Sequence, residues 1–327
     1  MTQPPEKTRV AVVGCGYLGR FHAQKYAGMA DVDLVGVVDV ELQQAQAVAQ
    51  TCGCRSFTDY RHLLGEVDAV SVVTPTVSHF AIAQDLLAHN VHLLIEKPIT
   101  TTLAEADRLI ELARDRRCIV QVGHLERFNP AFLAIEAEAE TPLLIEAQRL
   151  SVFKDRATDV SVVLDLMIHD IDIILSLAGS EIDHIEACGA CLITDHLDVA
   201  NARFHFENGC VANVTASRVS LTDSRRLRLF QSAKSIEVDF GQRRIEFLPL
   251  MPPQGSDRAL LGEIRRRSFE QSDALLAELT AFVHSVHRQE PPKVPASEGR
   301  RALAVALDVM ERAAAAESLL VCANSSC

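Results

Sequence analysis

Lys97, Asp165 and His169 are the residues whose types and spacing best suit chemistry on a hydroxyl group. Asp165 and His169 stand four apart in the apolar stretch 160–178, so a helix there projects both from one face. An imidazole beside a carboxylate in such a setting accepts a proton near neutral pH. The same pair also reads as a structural ion pair, or as part of a metal site needing a further ligand such as His124. Lys97 belongs to Glu96-Lys97-Pro98, at the end of the apolar run 91–96. An ammonium there can hydrogen-bond a substrate hydroxyl and favour its developing negative charge. In isolation it reads equally as a surface lysine ahead of a turn proline.

A second constellation points to a dinucleotide. Residues 9–14 are a Val-rich strand, and Gly14, Gly16 and Gly19 follow at GxGxxG spacing before a helical stretch, 17–29. A second strand, 33–39, ends on Asp39, twenty residues past Gly19. In this context the glycines permit a tight turn and close approach of a pyrophosphate, the helix N-terminus offers N–H groups, and Asp39 accepts from the adenosine ribose. A 2′-phosphate would be repelled by Asp39, and residues 40–44 offer no Lys or Arg, so NAD is expected over NADP.

These residues need a scaffold. Further strands are expected at 69–74, 91–96 and 118–122, alternating with helices at 41–51, 78–89 and 102–116, the last capped by Thr101 or Thr102 with Glu105. That alternation predicts an α/β domain, a doubly wound parallel sheet over 1–123, with Lys97 and Glu96 at its carboxyl edge. From 124 to 327 the pattern predicts an α+β domain: helices at 131–140 and 160–178, a strand at 143–150, and a large, mostly antiparallel open-faced sheet over 183–248. The turn Glu207-Asn208-Gly209 marks a hairpin. Two helices close the chain, near 268–288 and 298–319, and the last is expected to pack back on the first domain. Around the expected site lie Arg127 and Asn129 after the fifth strand, Lys154 and Arg156 after the 143–150 strand, and Arg218, Arg225, Arg226 and Arg228 on later strands. An Arg-rich wall suits phosphate. Arg265-Arg266-Arg267 reads as a solvated helix face.

Composition bounds the partners. The 327 residues hold 32 Lys and Arg against 44 Asp and Glu, a net charge of -12, which disfavours nucleic acid and anionic membranes. Residues 214–268, however, hold 11 Lys and Arg against 6 Asp and Glu, so a phosphate-bearing small molecule remains compatible. Nine scattered cysteines do not form a disulfide framework; Cys188 and Cys191 make a CxxC with no second pair, and read as strand residues. With no signal peptide visible and no run of 18 apolar residues, the expected compartment is the cytoplasm. One face of the open sheet must be covered, which predicts a homo-oligomer, dimer or tetramer, built through it.

GCGYLG, Asp39, TPTVSH at 74–79, EKP at 96–98, RFNP at 127–130 and DLMIHDID at 165–172 together resemble the glucose-fructose oxidoreductase / inositol dehydrogenase / rhizopine catabolism family of sugar dehydrogenases. The resemblance spans nearly the whole chain. Segment 143–177 is similar to the branch that oxidises the 3-hydroxyl of UDP-N-acetylglucosamine for 2,3-diamino-sugar lipid A, in step with a sugar aminotransferase. The resemblance implies that backbone amides of Tyr17 and Leu18 meet the pyrophosphate. It places Thr74, Pro75 and His79 along the cofactor site and Glu96 near the nicotinamide. Lys97 then contacts the reacting hydroxyl, and His169 takes its proton with Asp165 beside it. Arg127, Asn129, Lys154, Arg156 and Arg218 fall on the substrate side. Many members have Gly where this chain has Met167, which either narrows the pocket or packs into the core. A dehydrogenase for another sugar nucleotide, a free sugar or inositol is the alternative within the family. A non-catalytic NAD-binding sensor is the alternative outside it, although a sensor needs none of Lys97, Asp165 and His169.

Overall fold

A computed structural model describes residues 7–154, 158–251, 260–270 and 273–324. The chain opens with β1 (Thr8–Val13), α1 (Tyr17–Gly28), β2 (Val32–Val38), α2 (Leu42–Cys52), β3 (Arg55–Phe57) and β4 (Ala69–Val72). It continues through α3 (Thr76–Ala88), β5 (His92–Glu96), α4 (Leu103–Arg116) and β6 (Val120–Gly123). The six strands form one parallel sheet in the order β3-β2-β1-β4-β5-β6. Strand order reverses between β1 and β4, the point where a doubly wound sheet opens a crevice at its carboxyl edge. β4 is buried at every residue and β1 at all but one, as strands covered on both faces must be. β3 is new relative to the sequence reading: three residues, none fully buried, are too short and too polar to show a strand period. Thr102 and Glu105 form the expected reciprocal capping box on α4.

The second part comprises α5 (Pro130–Glu138), β7 (Leu144–Leu150), a helical segment leading into α6 (Ile168–Ala178), and β8 (Ile182–Ala190), β9 (Val199–Phe206) and β10 (Val211–Ser217). Then follow β11 (Ser224–Phe230), β12 (Lys234–Asp239), β13 (Arg244–Met251), β14 (Leu260–Leu261) and β15 (Arg265–Ser268). The sheet runs β14-β13-β12-β11-β7-β10-β9-β8, with β15 also paired to β13. Within this sheet, among the described strands, only β7 and β10 pair in parallel. The Asn208-Gly209 turn joins β9 to β10, with Gly209 at a φ of 85°. α6 lays Ile168, Ile171 and Ile174 on the sheet's Phe204, Val214 and Leu227, all essentially without exposure. Met167 is fully buried in that core, which settles its role as packing.

Two expectations change here. Arg265, Arg266 and Arg267 lie on a strand, β15, not a helix, and they pair with carboxylates of neighbouring elements: Arg265 and Arg267 with Glu138, Arg266 with Glu246. Arg226 and Arg228 meet Asp239 and Glu146 in the same way. The basic stretch is therefore laced with acids across strands, some of them from outside 214–268. The second change concerns the boundaries.

After β15 come α7 (Ala274–Arg288) and α8 (Ala296–Asn324). The chain divides into two units: residues up to Phe128 with Asp273–Arg301, and Asn129–Ser272 with the chain from Ala302 on. α7 thus belongs to the first unit, where Leu279, Phe282, Val283 and Val286 join the core of β1, α1 and β2. The start of α8 stays there too: Val122 donates to the Val294 carbonyl at 2.9 Å, and Arg300 forks onto Asp107. The remainder of α8 packs Ala302, Ala306 and Val309 into the core of the second unit, not the first.

Candidate active site

In the first unit the glycine turn leads from β1 into α1. Gly14 sits at a φ of 99°, where a Cβ would lie 2.4 Å from the Val73 carbonyl oxygen. A Cβ on Gly19 would lie 1.9 Å from the Gly14 oxygen, whereas one on Gly16 meets nothing within 4 Å. Gly14 and Gly19 close the turn on itself, and Gly16 leaves open space before the helix. Gly16 is the N-cap of α1 and no side chain caps that end, the condition under which a helix N-terminus serves as an anion cradle. This arrangement fits a dinucleotide pyrophosphate. Gly19→Ala is expected to lower stability by about 1–3 kcal/mol, read as a fall in thermal midpoint. Gly16→Ala is expected to leave that midpoint unchanged and weaken NAD binding, read by titration.

Asp39 ends the second strand half-buried. Its Oδ2 accepts from the Cys15 amide at 2.7 Å and its Oδ1 from the Glu41 amide at 2.9 Å, which fixes the carboxylate against the glycine turn. It borders a cleft of about 800 Å³ together with Gly14, Gly16, Thr74 and Pro75. The same cleft includes a cation the sequence reading did not place there, Arg61, which arrives from beyond β3. Arg61 is forked onto Asp59, and that pairing holds the Asp59 carboxyl at about 2. Its charge is therefore matched locally. Asp39→Ser is expected to raise the kcat/KM with NADP relative to NAD by about tenfold, equivalent to about 1.4 kcal/mol.

His79 is placed differently from a lining residue. It is 1% exposed and spans two carbonyl oxygens, Thr74 at 2.8 Å and Pro98 at 3.0 Å. Burial pushes its imidazole pKa down, opposed by those two contacts. It ties the Thr74–Pro75 loop to the Lys97–Pro98 turn, whose peptide is cis. Lys97 itself is half-buried just past β5. Glu96 Oε2 accepts from the Lys97 amide at 3.3 Å, and Gly123 on the adjacent strand leaves room for the carboxylate, since a Cβ there would lie 2.8 Å from Glu96 Cδ. Arg127, expected on the substrate side, is 5% exposed and forms an ion pair with Glu298 at the start of α8. The pairing was invisible in sequence because its partner lies 171 residues away.

In the second unit, Asn129 caps α5, its Oδ1 accepting from the Ala131 amide at 3.0 Å. Lys154 is half exposed, 3.7 Å from Asp223. Arg156 lies outside the described residues. Arg218 is 6% exposed, its Nε 3.7 Å from Asp198 and its Nη2 donating to the Val160 carbonyl. Asp198 is fully buried and its Oδ2 collects the amides of Leu192, Ile193 and Thr194. Burial pushes the Asp198 pKa up, but these donors outweigh it and hold the carboxyl at about 2. Arg218 thus anchors the segment that enters the Asp165–His169 helix.

That segment departs from the expected α-helix. Val163–Met167 forms a π turn, with α6 beginning at Ile168. The wider i→i+5 turn still returns Asp165 and His169 to neighbouring positions one turn apart, and both are half-buried rather than sealed in the core. One residue on, Asp170 receives a two-point bond from Arg149 of β7, with Nε and Nη2 each at 2.9 Å and the pair about 5% exposed. Sequence reasoning missed this clamp, although an Arg in an otherwise alternating strand and an Asp on an apolar helix were its signals. Among the described residues no group of three or more His, Cys, Asp or Glu is arranged to hold a metal ion. No helix among them is long and apolar enough to cross a membrane.

A strand-order reversal, a glycine turn opening a helix, an acid fixed beside that turn and a lysine at the carboxyl edge are the features of an NAD-binding oxidoreductase. Residues 8–124 match the oxidoreductase family with NAD-binding Rossmann fold, and residues 132–237 match the GFO/IDH/MocA C-terminal domain. The chain belongs to this family of sugar and inositol dehydrogenases. It is 40% identical over 312 residues to UDP-N-acetylglucosamine 3-dehydrogenase of Acidithiobacillus ferrooxidans, covering 92% of this chain and 96% of that one. A crystal structure of that enzyme superposes with a TM-score of 0.87 at 39% identity, over 94% of this chain and 97% of that one. Myo-inositol 2-dehydrogenase of Thermotoga maritima is 25% identical, covering 90% and 93%.

Proposed function

We propose that the chain oxidises the 3-hydroxyl of UDP-N-acetylglucosamine to the 3-keto sugar nucleotide with NAD. The 40% identity across 92% of the chain to an enzyme of that name carries this reading. NAD, held by the Gly14–Gly19 turn and Asp39, supplies the hydride acceptor. Glu96 borders the nicotinamide side of its site, with Thr74 and Pro75 along the cleft. His169 takes the hydroxyl proton on an imidazole nitrogen, and Asp165, one turn back, orients the ring. Lys97 Nζ hydrogen-bonds the reacting oxygen and favours its negative charge. Lys154 and Arg156 supply charge for the diphosphate, while Arg127, Asn129 and Arg218 act by holding the segments around the sugar.

The product is a ketone on a sugar nucleotide, consumed by an aminotransferase in the making of 2,3-diamino-sugar lipid A. The enzyme is cytoplasmic and assembles as a homo-oligomer through the outer face of β7–β13. The test is NADH formation across a panel of UDP-sugars, free sugars and inositols, with a sugar aminotransferase added to draw off ketone. Turnover with UDP-N-acetylglucosamine above all others is expected. Turnover confined to inositols, the substrates named for the 25% identical relative, would replace this reading. Light scattering that gives a monomer would overturn the assembly.

A further inference from the structure

Between α1, α7 and the parallel sheet lies a group of polar side chains that the proposed chemistry does not use. His22 of α1 and Glu278 of α7 are both fully buried. His22 Nε2 lies 3.3 Å from Glu96 Oε1. Neither carboxyl oxygen of Glu278 and neither ring nitrogen of His22 has a hydrogen-bond partner among the described residues, so the His22–Glu96 approach is an electrostatic contact. Gln121 of β6 donates to the main-chain carbonyl of Glu278 at 3.3 Å, and the buried Tyr26 hydroxyl shares a 2.8 Å hydrogen bond with Ser71 of β4. Glu278 sits on α7 beside Leu279, Phe282 and Val283, which are core residues. A leucine would fill such a position at lower free energy than a carboxyl with unmatched oxygens.

We propose that His22 is a positioning residue for Glu96: it closes off the carboxylate from the α1 side and fixes where its charge points at the carboxyl end of β5. The other limits on that carboxylate are the Lys97 amide on Oε2 and the bare face of Gly123. Burial, and then the nearby Glu96 carboxylate, push the Glu278 carboxyl well above the usual range. The inference rests on the reading in which the nicotinamide lies at this edge. A carboxylate held there favours the cationic oxidised ring over the neutral reduced one. His22 and Glu96 thereby set the balance between NAD⁺ binding and NADH release.

The test uses the full-length enzyme and reads the ratio of NAD⁺ to NADH dissociation constants by calorimetric titration. Glu96→Gln is expected to shift the ratio toward NADH by about tenfold. His22→Asn is expected to shift it the same way by several-fold. Combined with Glu96→Gln, His22→Asn is expected to add nothing, because it acts through the group already removed. Effects that multiply in the double variant, or a His22→Asn ratio equal to wild type, would overturn the proposal. A wild type that binds neither nucleotide would instead overturn the functional reading.

Discussion

His169→Ala is expected to lower kcat by about 10²–10⁴-fold, the usual consequence of removing a positioned general base, while NAD affinity stays within twofold. Lys97→Ala is expected to fall in the same range by a different route, the loss of a donor to the oxygen that becomes negative. The two residues come from different units, His169 from the helix after the π turn and Lys97 from the end of β5. Neither belongs to the glycine turn or the Asp39 cleft, so cofactor binding should survive both changes. Single-turnover rates and NAD titrations on the same preparations separate the two effects. Turnover near wild type in both variants would remove the proposed roles. A loss of NAD binding parallel to the loss of rate would show that the substitutions act on the fold.

The second large effect is on stability. Asp170→Ala is expected to destabilise the protein by about 3–5 kcal/mol, because it leaves the Arg149 guanidinium buried and unmatched by charge. Arg149→Met combined with Asp170→Leu is expected to recover most of that loss, since a buried pair replaced by apolar side chains of similar volume is often neutral. Urea midpoints at constant slope give the comparison. The clamp joins β7 to the residue next to His169, so the single variant should also lose turnover beyond its loss of folded fraction. A change below about 1 kcal/mol would place the pair among weakly contributing surface bridges instead.

Local pattern carried much of the architecture. The Val-rich strands, the GxGxxG turn with Asp39, the Thr102–Glu105 box and the Asn208-Gly209 hairpin each depend on neighbours within a few residues, and each is where periodicity placed it. What escaped depends on distant partners. Arg127 meets Glu298, Arg218 meets Asp198, and Arg228 meets Glu146. A single sequence read by composition shows the cation but not the acid that long-range folding brings to it, so these arginines looked like a wall for phosphate. β3 was too short for its period to show, and the π turn at Val163–Met167 has the same apolar residues an α-helix would. α7 was misassigned to the second domain because sequence order alone placed it there; its apolar face matches the first unit's core.

That last assignment has a consequence for how the protein is made. The first unit needs Leu279, Phe282, Val283 and Val286, which the ribosome adds only after the whole of Asn129–Ser272. At about 5–20 residues per second, the sheet β1–β6 waits several seconds or more with the face against α1 uncovered. The nascent dinucleotide half is thus an incomplete core until α7 is added. A gene fragment ending at Phe128 is expected to aggregate, whereas the same fragment supplied with a tethered Asp273–Arg301 segment regains its missing layer.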